Sequence, residues 1–414
     1  MTTREAFLAT CEFQPVVPPK WEFGYWGETV DNWYNSGLPR NHYPTLERTV
    51  RTPTSGLMLP AWRTIGGHRL PRGISVMGGG LYWPTQGFPL DRDIRERFHM
   101  DASQRLVDVN LLACPMFPAE VRFEDERYWD FVDCDGVVKR FQKEPQTMPS
   151  GWEWPIRDWP SWKKYKDERL RLDNLRDRFP PDWKELVRDY RGRDYPLALG
   201  GFPYGYFGTP AHLMGYDNLF VAYFEAPDLV RDIVHTFTEL WIAVFEEVLA
   251  QVDVDHYQIW EDISFGRGSM VSDDVIREFQ VPYYTRMISF LKSHGVKHIF
   301  LDTDGDCRKI IPLFMDAGIT GMYPFEWHCG MRVEEIRRQF PRLVMMGGIP
   351  KSEIVHGPKR IDEILAPVRE TLKHGGYIPY GDHFVPPDVD WKNYCYFRER
   401  LHSIMDETPR LMRA

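Results

Sequence analysis

The chain has 414 residues, of which 43% are hydrophobic and 27% charged, and its formal net charge is −9. This length and apolar content predict a folded protein with a large core, and the lack of basic tracts argues against a nucleic-acid partner. No apolar run reaches the roughly 20 residues of a membrane span, and residues 1–15 carry charges where a signal peptide would be apolar. We therefore expect a cytoplasmic protein, and the dispersed cysteines, which form no CxxC pair, favour reduced thiols.

Short apolar runs alternate with segments of helical periodicity along the chain, a pattern typical of βα units and a parallel sheet. Eight runs are strand candidates: 19–26, 105–114, 195–202, 255–262, 296–306, 319–326, 342–351 and 377–384. After the fourth, the sequence predicts one helix that begins with a capping Ser272 and ends at Gly295. Eight such units favour a closed (β/α)8 barrel over a doubly wound sheet.

Two segments fall outside this repeat. Residues 127–141 alternate around an Asp135-Gly136 turn and predict a β-hairpin, and residues 143–194 predict a helical excursion. We therefore predict one α/β domain over residues 1–414. It is a single (β/α)8 TIM barrel with an N-terminal extension and a hairpin plus helical insertion, residues 115–194, around the barrel mouth.

Polar side chains recur at the predicted strand ends, where the loops of a barrel converge and where its chemistry is found. In chain order these are Glu22, Tyr25, Trp26, Glu261, Asp262, Asp302, Asp304, Glu326, His328, Cys329, Asp382 and His383. Burying such groups unpaired costs several kcal/mol, so we expect them to be partnered or to hold a cation.

A divalent metal is one reading of this rim. Asp302, Asp304, Asp382 and His383 would form an oxygen-rich set with one nitrogen, which suits Zn²⁺, Mn²⁺, Fe²⁺ or Mg²⁺. The alternative is that residues 302–306 form a turn whose aspartates cap the next helix and hydrogen-bond a substrate.

Three residues are candidates for acid or base catalysis: Glu261, Asp304 and His383. His383 follows an aspartate that could orient it for proton transfer. Neighbours on a strand point to opposite faces, so only one of Glu261 and Asp262 can line the interior, and we favour Glu261. We expect His212 to pack in the core, and His328 and Cys329, being adjacent, not to share a metal ion.

An aromatic pocket above the rim is the predicted substrate site. Its candidate residues are Glu22, Tyr25, Trp26, Tyr204, Tyr206, Phe207 and Glu326. Core packing explains any single aromatic residue of this set equally well. No P-loop, nucleophilic serine motif or dinucleotide fingerprint is present.

Five segments together carry a family resemblance: residues 4–26, 205–237, 260–284, 300–326 and 375–397. On these the chain resembles the uroporphyrinogen decarboxylase superfamily, which includes that decarboxylase and corrinoid-linked methyltransferases. The decarboxylases have an arginine-bearing loop after the first strand, whereas this chain has Glu22 and Glu28 there, which argues against a porphyrin substrate. The methyltransferases have a zinc site with His-x-Cys after the fifth strand and a Cys on the eighth. Here those places hold Asp302-x-Asp304 and Asp382-His383.

The resemblance implies a metal-assisted methyltransferase, or demethylase, that moves a methyl group from a small methoxylated or methylated substrate to a corrinoid protein. A decarboxylase of a smaller carboxylic acid and a non-catalytic ligand-binding barrel are the alternatives. The expected partners are a small-molecule substrate and, by resemblance only, a corrinoid protein that carries its own cofactor. A homodimer is kept as an option, with no nucleic acid and no membrane.

Overall fold

The computed structural model describes residues 1–41, 91–118, 120–142 and 150–413, together with the backbone of three two-residue strands between 64 and 82. The strands are β1 (Tyr25–Trp26), β2 (Thr64–Ile65), β3 (His68–Arg69), β4 (Leu81–Tyr82), β5 (Arg105–Leu106), β6 (Glu120–Glu124), β7 (Tyr128–Val132), β8 (Val138–Gln142), β9 (Ser150–Glu153), β10 (Leu197–Gly201), β11 (His256–Trp260), β12 (Ser264–Phe265), β13 (Gly268–Ser269), β14 (His298–Asp302), β15 (Gly321–Tyr323), β16 (Val344–Met346) and β17 (Tyr377–Ile378).

Helices connect and surround these strands. They are α1 (Thr3–Cys11), α2 (Gly27–Ser36), α3 (Arg92–Arg97), α4 (Trp159–Arg169), α5 (Trp183–Arg191), α6 (Gly208–Met214), α7 (Tyr216–Glu225), α8 (Pro227–Leu249), α9 (Asp273–Phe279), α10 (Val281–Ser293), α11 (Ile311–Ala317), α12 (Val333–Gln339), α13 (Pro358–Leu372), α14 (Trp391–Asp406) and α15 (Thr408–Leu411). Short 3-10 helices lie at Leu175–Arg178, Trp327–Cys329 and Lys351–His356. Within the described ranges, no helix has both the length and the apolar character needed to cross a lipid bilayer.

Seven parallel strands form the central sheet, in the spatial order β5, β10, β11, β14, β15, β16 and β17. Spatial order follows chain order, so each crossover joins neighbouring strands. The strands are short and almost wholly buried, as expected for a parallel sheet covered on both faces. The sheet curls, and the predicted α/β fold of the TIM-barrel type is confirmed.

The first strand candidate, residues 19–26, lies between the two edges of the sheet and makes backbone hydrogen bonds to both, including one from the N–H of Trp26 to the Val385 carbonyl at 3.2 Å. At one edge the Lys20 carbonyl accepts the N–H of Asp101 at 3.3 Å, and at the other Gly24 accepts the N–H of Val385 at 2.9 Å. Tyr25 thereby forms a parallel bridge with Val385, beyond the last strand of the sheet, while its strand β1 also pairs antiparallel with β4. The segment therefore joins the parallel sheet through one bridge and not through a full ladder.

The predicted helix 272–295 is two helices. Ser272 caps the first as expected, accepting the N–H of Val275 at 3.3 Å. The break falls at Gln280, and Pro282 occupies the first turn of α10. Proline lacks an N–H and is tolerated only in a first turn, so it favours a new helix there.

The region before β10 contains a second, antiparallel sheet in the order β6, β7, β8 and β9. The predicted hairpin is its centre, with Tyr128 opposite Gln142, and the predicted helical excursion contains α4 and α5. The larger hydrophobic cluster, which contains residues of the central strands and of the helices around them, also includes Trp162 and Tyr165 of this region. The boundaries of a single domain over residues 1–414 stay a prediction.

A buried ion pair fastens the first strand segment to the end of the chain. The Nη1 atom of Arg398, in α14, lies 3.2 Å from Oε2 of Glu22, and neither side chain is exposed. The other oxygen of Glu22 accepts the N–H groups of Phe23 at 3.0 Å and Gly381 at 2.8 Å. Burial raises the pKa of Glu22, and the charge of Arg398 opposes that shift. Glu22 therefore joins three distant segments, and its predicted substrate-binding role stays a prediction without geometric support, since the residue is buried.

We predict that Arg398→Met lowers the free energy of unfolding by about 3–5 kcal/mol, because it leaves the Glu22 carboxylate buried without its cation. Urea unfolding followed by circular dichroism measures this change. The double variant that adds Glu22→Gln removes the unpaired negative charge and should recover part of the lost unfolding free energy. Equal stability of Arg398→Met and the unaltered protein would show that the ion pair does not stabilise the contact between residue 22 and α14.

Candidate active site

Glu261, at the end of β11, is held inside the protein. Its two oxygens accept the N–H groups of Tyr206 at 2.9 Å, Phe207 at 2.7 Å and Gly208 at 2.9 Å, and the hydroxyl of Tyr284. These N–H groups lie at the start of α6, where the helix dipole favours a negative charge. Burial raises the pKa of Glu261, and the four donors oppose that shift. Its predicted catalytic role stays a prediction without geometric support, since no part of the side chain is exposed.

Glycine makes this arrangement possible. A Cβ atom on Gly205 or on Gly208 would overlap the carbonyl oxygen of Trp260, the last residue of β11. The loop before α6 can therefore lie directly on β11 only where side chains are missing. This close approach brings the helix N-terminus to Glu261.

Asp262 takes the place that the sequence assigned to Glu261. Its backbone is left-handed, with φ of 45°, which a non-glycine residue adopts only occasionally and aspartate more readily than most. The turn sends the side chain to the rim, where Oδ2 accepts the hydroxyl of Tyr216 at 3.1 Å. Burial raises the pKa of Asp262 to about 7, the charge of Asp304 adds to the shift, and the Tyr216 bond opposes it.

Asp304 and His383 meet at the rim, as the sequence predicted from two distant strand ends. Oδ2 of Asp304 lies 3.6 Å from Nε2 of His383, and the two side chains are 37% and 22% exposed. Burial, with Glu326 as the next cause, raises the pKa of Asp304 to about 7. Burial, with Lys351 as the next cause, lowers the pKa of His383 to about 4. Near neutral pH the imidazole is therefore uncharged, and the carboxyl group can hold a proton.

Asp302 lies deeper than these groups. It is 8% exposed, and no hydrogen-bond donor or cation among the described residues pairs with its carboxyl group. Burial raises its pKa well above the ordinary value, and the charges of Asp304 and Asp262 add to the shift. The carboxyl group of Asp302 thus lies next to both rim aspartates.

Asp382 ties three strand ends together. Its Oδ2 accepts the N–H of Trp327 at 3.0 Å, and its Oδ1 accepts the N–H of Lys351 at 3.1 Å and lies 3.2 Å from the Lys351 ammonium. Glu326, half-buried beside it, accepts the N–H of Gly305 at 2.8 Å. Sequence reasoning did not select Lys351 or Tyr216, although Lys351 ends a predicted strand and the strand-end rule could have found it.

The predicted metal site lacks geometric support. In the part of the chain that the structure describes, no group of three or more His, Cys, Asp and Glu side chains could hold a metal ion. Asp382, one of the four predicted ligands, has both oxygens engaged by donors, with a lysine ammonium where a metal would have to bind. Asp304 and His383 do lie together, but the four ligands do not converge as predicted, and we derive no step through a metal.

The predicted aromatic pocket is mostly core. Tyr25, Tyr204, Tyr206 and Phe207 are buried among other hydrophobic side chains, where they contribute packing and not an open surface. Of the predicted substrate-binding residues, Trp26 and Glu326 are half-buried and could contact a ligand. The substrate-binding role of the set stays a prediction.

The fold and rim define an α/β barrel protein with acidic strand ends, and comparison with known families names its class. The family model described as uroporphyrinogen decarboxylase (URO-D) matches residues 168–404, more than half of the chain. The chain belongs to the URO-D family. No curated protein sequence matches it.

Solved structures agree with this fold. A methyltransferase from Methanosarcina mazei matches with a TM-score of 0.56 and 16% identity, covering 98% of this chain and 99% of that one. A B12-independent methionine synthase from Shewanella matches with a TM-score of 0.37 and 10% identity over 86% of this chain and 98% of that one. A uronate isomerase from Bacillus halodurans matches with a TM-score of 0.24 and 12% identity, covering 62% of this chain and 64% of that one. The first match shows a shared fold over the full chain, and the other two add no argument.

We predict that Glu261→Ala destabilises the protein by about 3 kcal/mol or more, because it leaves three buried N–H groups at the start of α6 without an acceptor. Asp262→Asn should cost far less, since asparagine can keep the Tyr216 hydrogen bond. Chemical denaturation of the two variants measures the difference. Equal losses for both would mean that Glu261 is not the structural anchor.

Proposed function

We propose that this protein is a methyltransferase that takes a methyl group from a small O-methylated or N-methylated substrate and passes it to a corrinoid protein. The proposal is supported by membership of the URO-D family and by the full-length fold match to a protein described as a methyltransferase. The observation that carries it is the accessible Asp304 carboxyl group, in contact with His383 and close to Asp262. These groups can hold a proton where a leaving oxygen or nitrogen would need one.

Methyl transfer breaks the bond between the methyl carbon and its oxygen or nitrogen, and that atom keeps the bonding electrons. An alkoxide is a poor leaving group, so the oxygen of an ether must receive a proton as the bond breaks. An amine that is already protonated leaves as the neutral amine, so the acid role of Asp304 applies to ether substrates. A reduced corrinoid on the partner protein would supply the nucleophile, and its electron pair would form the new bond to the methyl carbon. For an ether substrate, this protein supplies the proton.

Asp304 is suited to the acid role because its pKa lies near 7, so that the acid form is available at neutral pH. His383 stays neutral there, so it adds no positive charge beside Asp304 that would lower the pKa of its carboxyl group. Asp262, with a similar pKa, can share the proton with Asp304, because two neighbouring carboxylates do not ionise independently.

Decarboxylation of a small acid is the less favoured alternative. It also needs an acid to protonate a carbanion, but its substrate would bring a carboxylate to Asp262, Asp302 and Asp304. Lys351 beside them is already paired with Asp382. Like charges in such a recess disfavour an anionic ligand, and methyl transfer from a neutral or cationic substrate avoids that cost.

We predict that Asp304→Asn lowers turnover of ether substrates by about 100-fold or more, because asparagine keeps the shape of the side chain but cannot deliver a proton. Methyl transfer from a panel of methylated ethers and amines to reduced cobalamin, followed by the absorbance of methylcobalamin, is the assay. Asp306→Asn is the matched control, because Asp306 is paired with Arg308 two residues further on. Full activity of Asp304→Asn would remove Asp304 from the proposed mechanism.

We also predict that Asp304 makes folding less favourable as pH rises. Its pKa is about 7 in the folded protein but near 4 in an unfolded chain, so between these values the unfolded chain ionises first and gains stability. Asp304→Asn removes this penalty, so its melting temperature should exceed that of the unaltered protein at about pH 8 and approach it at about pH 4. Parallel pH dependences for the two proteins would contradict the raised pKa.

A further inference from the structure

We propose that the recess between Asp302, Asp304 and Asp262 binds the protonated nitrogen of a methylated amine through its N–H group. This inference deepens the proposed function and rests on it, because it names the substrate class of the same site. Four observations support it: the charge of the recess, the unpaired Asp302, the occupied Asp382 and the accessibility of Asp304.

Carboxyl groups lie on most sides of the recess, and a bound cation would favour their ionised forms. Asp302, Asp304, Asp262 and Glu326 lie close enough for their charges to act on one another. The ammonium of Lys351 lies at one edge, where it is already paired with Asp382. A ligand that brings a positive charge would relieve this repulsion, whereas an anionic ligand would increase it.

Asp302 shows where the positive group would bind. A carboxyl group that is more than nine-tenths buried normally has a hydrogen-bond donor, and leaving it without one costs free energy. No described residue supplies a donor to Asp302, and its nearest charged neighbours are the two rim aspartates. The carboxyl group of Asp302 is therefore available to accept a hydrogen bond from a ligand N–H group.

An ammonium suits the recess better than a metal ion does. A metal needs several ligands around one point, and one of the four predicted ligands, Asp382, is already bonded to Lys351 and to the N–H of Trp327. A protonated amine needs fewer protein contacts, because one N–H group requires only one carboxylate oxygen in line with it. The side chain of Asp304 is 37% exposed, so a ligand can reach the recess from the rim.

The charge of the ligand can be separated from its shape. Dimethylaminoethanol, choline and isoamyl alcohol have closely similar carbon frames. At neutral pH the first is a cation with an N–H group, the second is a cation without one, and the third is neutral. Binding of each is measured by isothermal titration calorimetry without any methyl acceptor, so the result does not depend on turnover.

We expect dimethylaminoethanol to bind at least about tenfold more tightly than isoamyl alcohol and more tightly than choline, as a hydrogen bond between charged groups would give. Asp302→Asn should abolish this preference, and the control Asp306→Asn should keep it. Should Asp302→Asn fail to fold, as judged by circular dichroism, Asp262→Asn tests the same recess.

Three results would overturn the inference. Equal binding of dimethylaminoethanol and isoamyl alcohol would show that charge is not recognised, and equal binding of choline would show that the N–H group is not. Stoichiometric binding of Zn²⁺ that is lost in Asp302→Asn would assign the recess to a metal. If the amine preference holds but no methylated amine gives methylcobalamin, the methyltransferase proposal fails while the binding site stands.

Discussion

The carboxylate of Glu261 is the interaction on which the rim depends. It accepts three backbone N–H groups at the start of α6 and a tyrosine hydroxyl, all inside the core. A buried anion is stable only when its lone pairs are satisfied in this way, and here the donors are fixed in the backbone. The end of β11 and the start of α6 are thereby locked together, and the chain must turn sharply at the next residue. That turn is what sends Asp262 to the surface of the recess.

Asp382 is a second buried carboxylate that holds loops together, on the other side of the barrel. It joins the loop after β15, the loop after β16 and the end of the last strand through two N–H groups and one ammonium. Asp304 and His383 lie between the two anchors, on loops whose ends are held from both sides. The rim acids themselves repel one another and weaken the fold, which is tolerable because the anchors are well satisfied.

The sequence predicted the barrel well because its strands are buried apolar runs with polar ends, a pattern set by the strand itself. The meeting of Asp304 with His383 followed from the same rule, since strand ends converge in a barrel. The sequence favoured Glu261 over Asp262 because side-chain alternation assumes an extended backbone. In the structure the backbone of Asp262 is left-handed, and Glu261 is buried. The role of Glu22 depends on Arg398, a partner 376 residues away that no local pattern identifies. The strand-end rule could have selected Lys351 from the sequence, but its ion pair with Asp382 is seen only in the structure.

The two anchors also explain how one frame can accept different ligand chemistry. Glu261 and Asp382 bond almost entirely to backbone N–H groups, so the positions of the loops do not depend on which side chains occupy residues 302, 304 and 383. In the methyltransferases that the chain resembles, the corresponding strand ends carry histidine and cysteine; here they carry aspartates and one histidine. Carboxylates in place of soft, metal-binding groups on a fixed frame favour a positively charged hydrogen-bond donor over a thiophilic ion, which is the reason for the ligand proposed above. In that proposal the backbone sets the place of the site, and the side chains at three positions set its ligand chemistry.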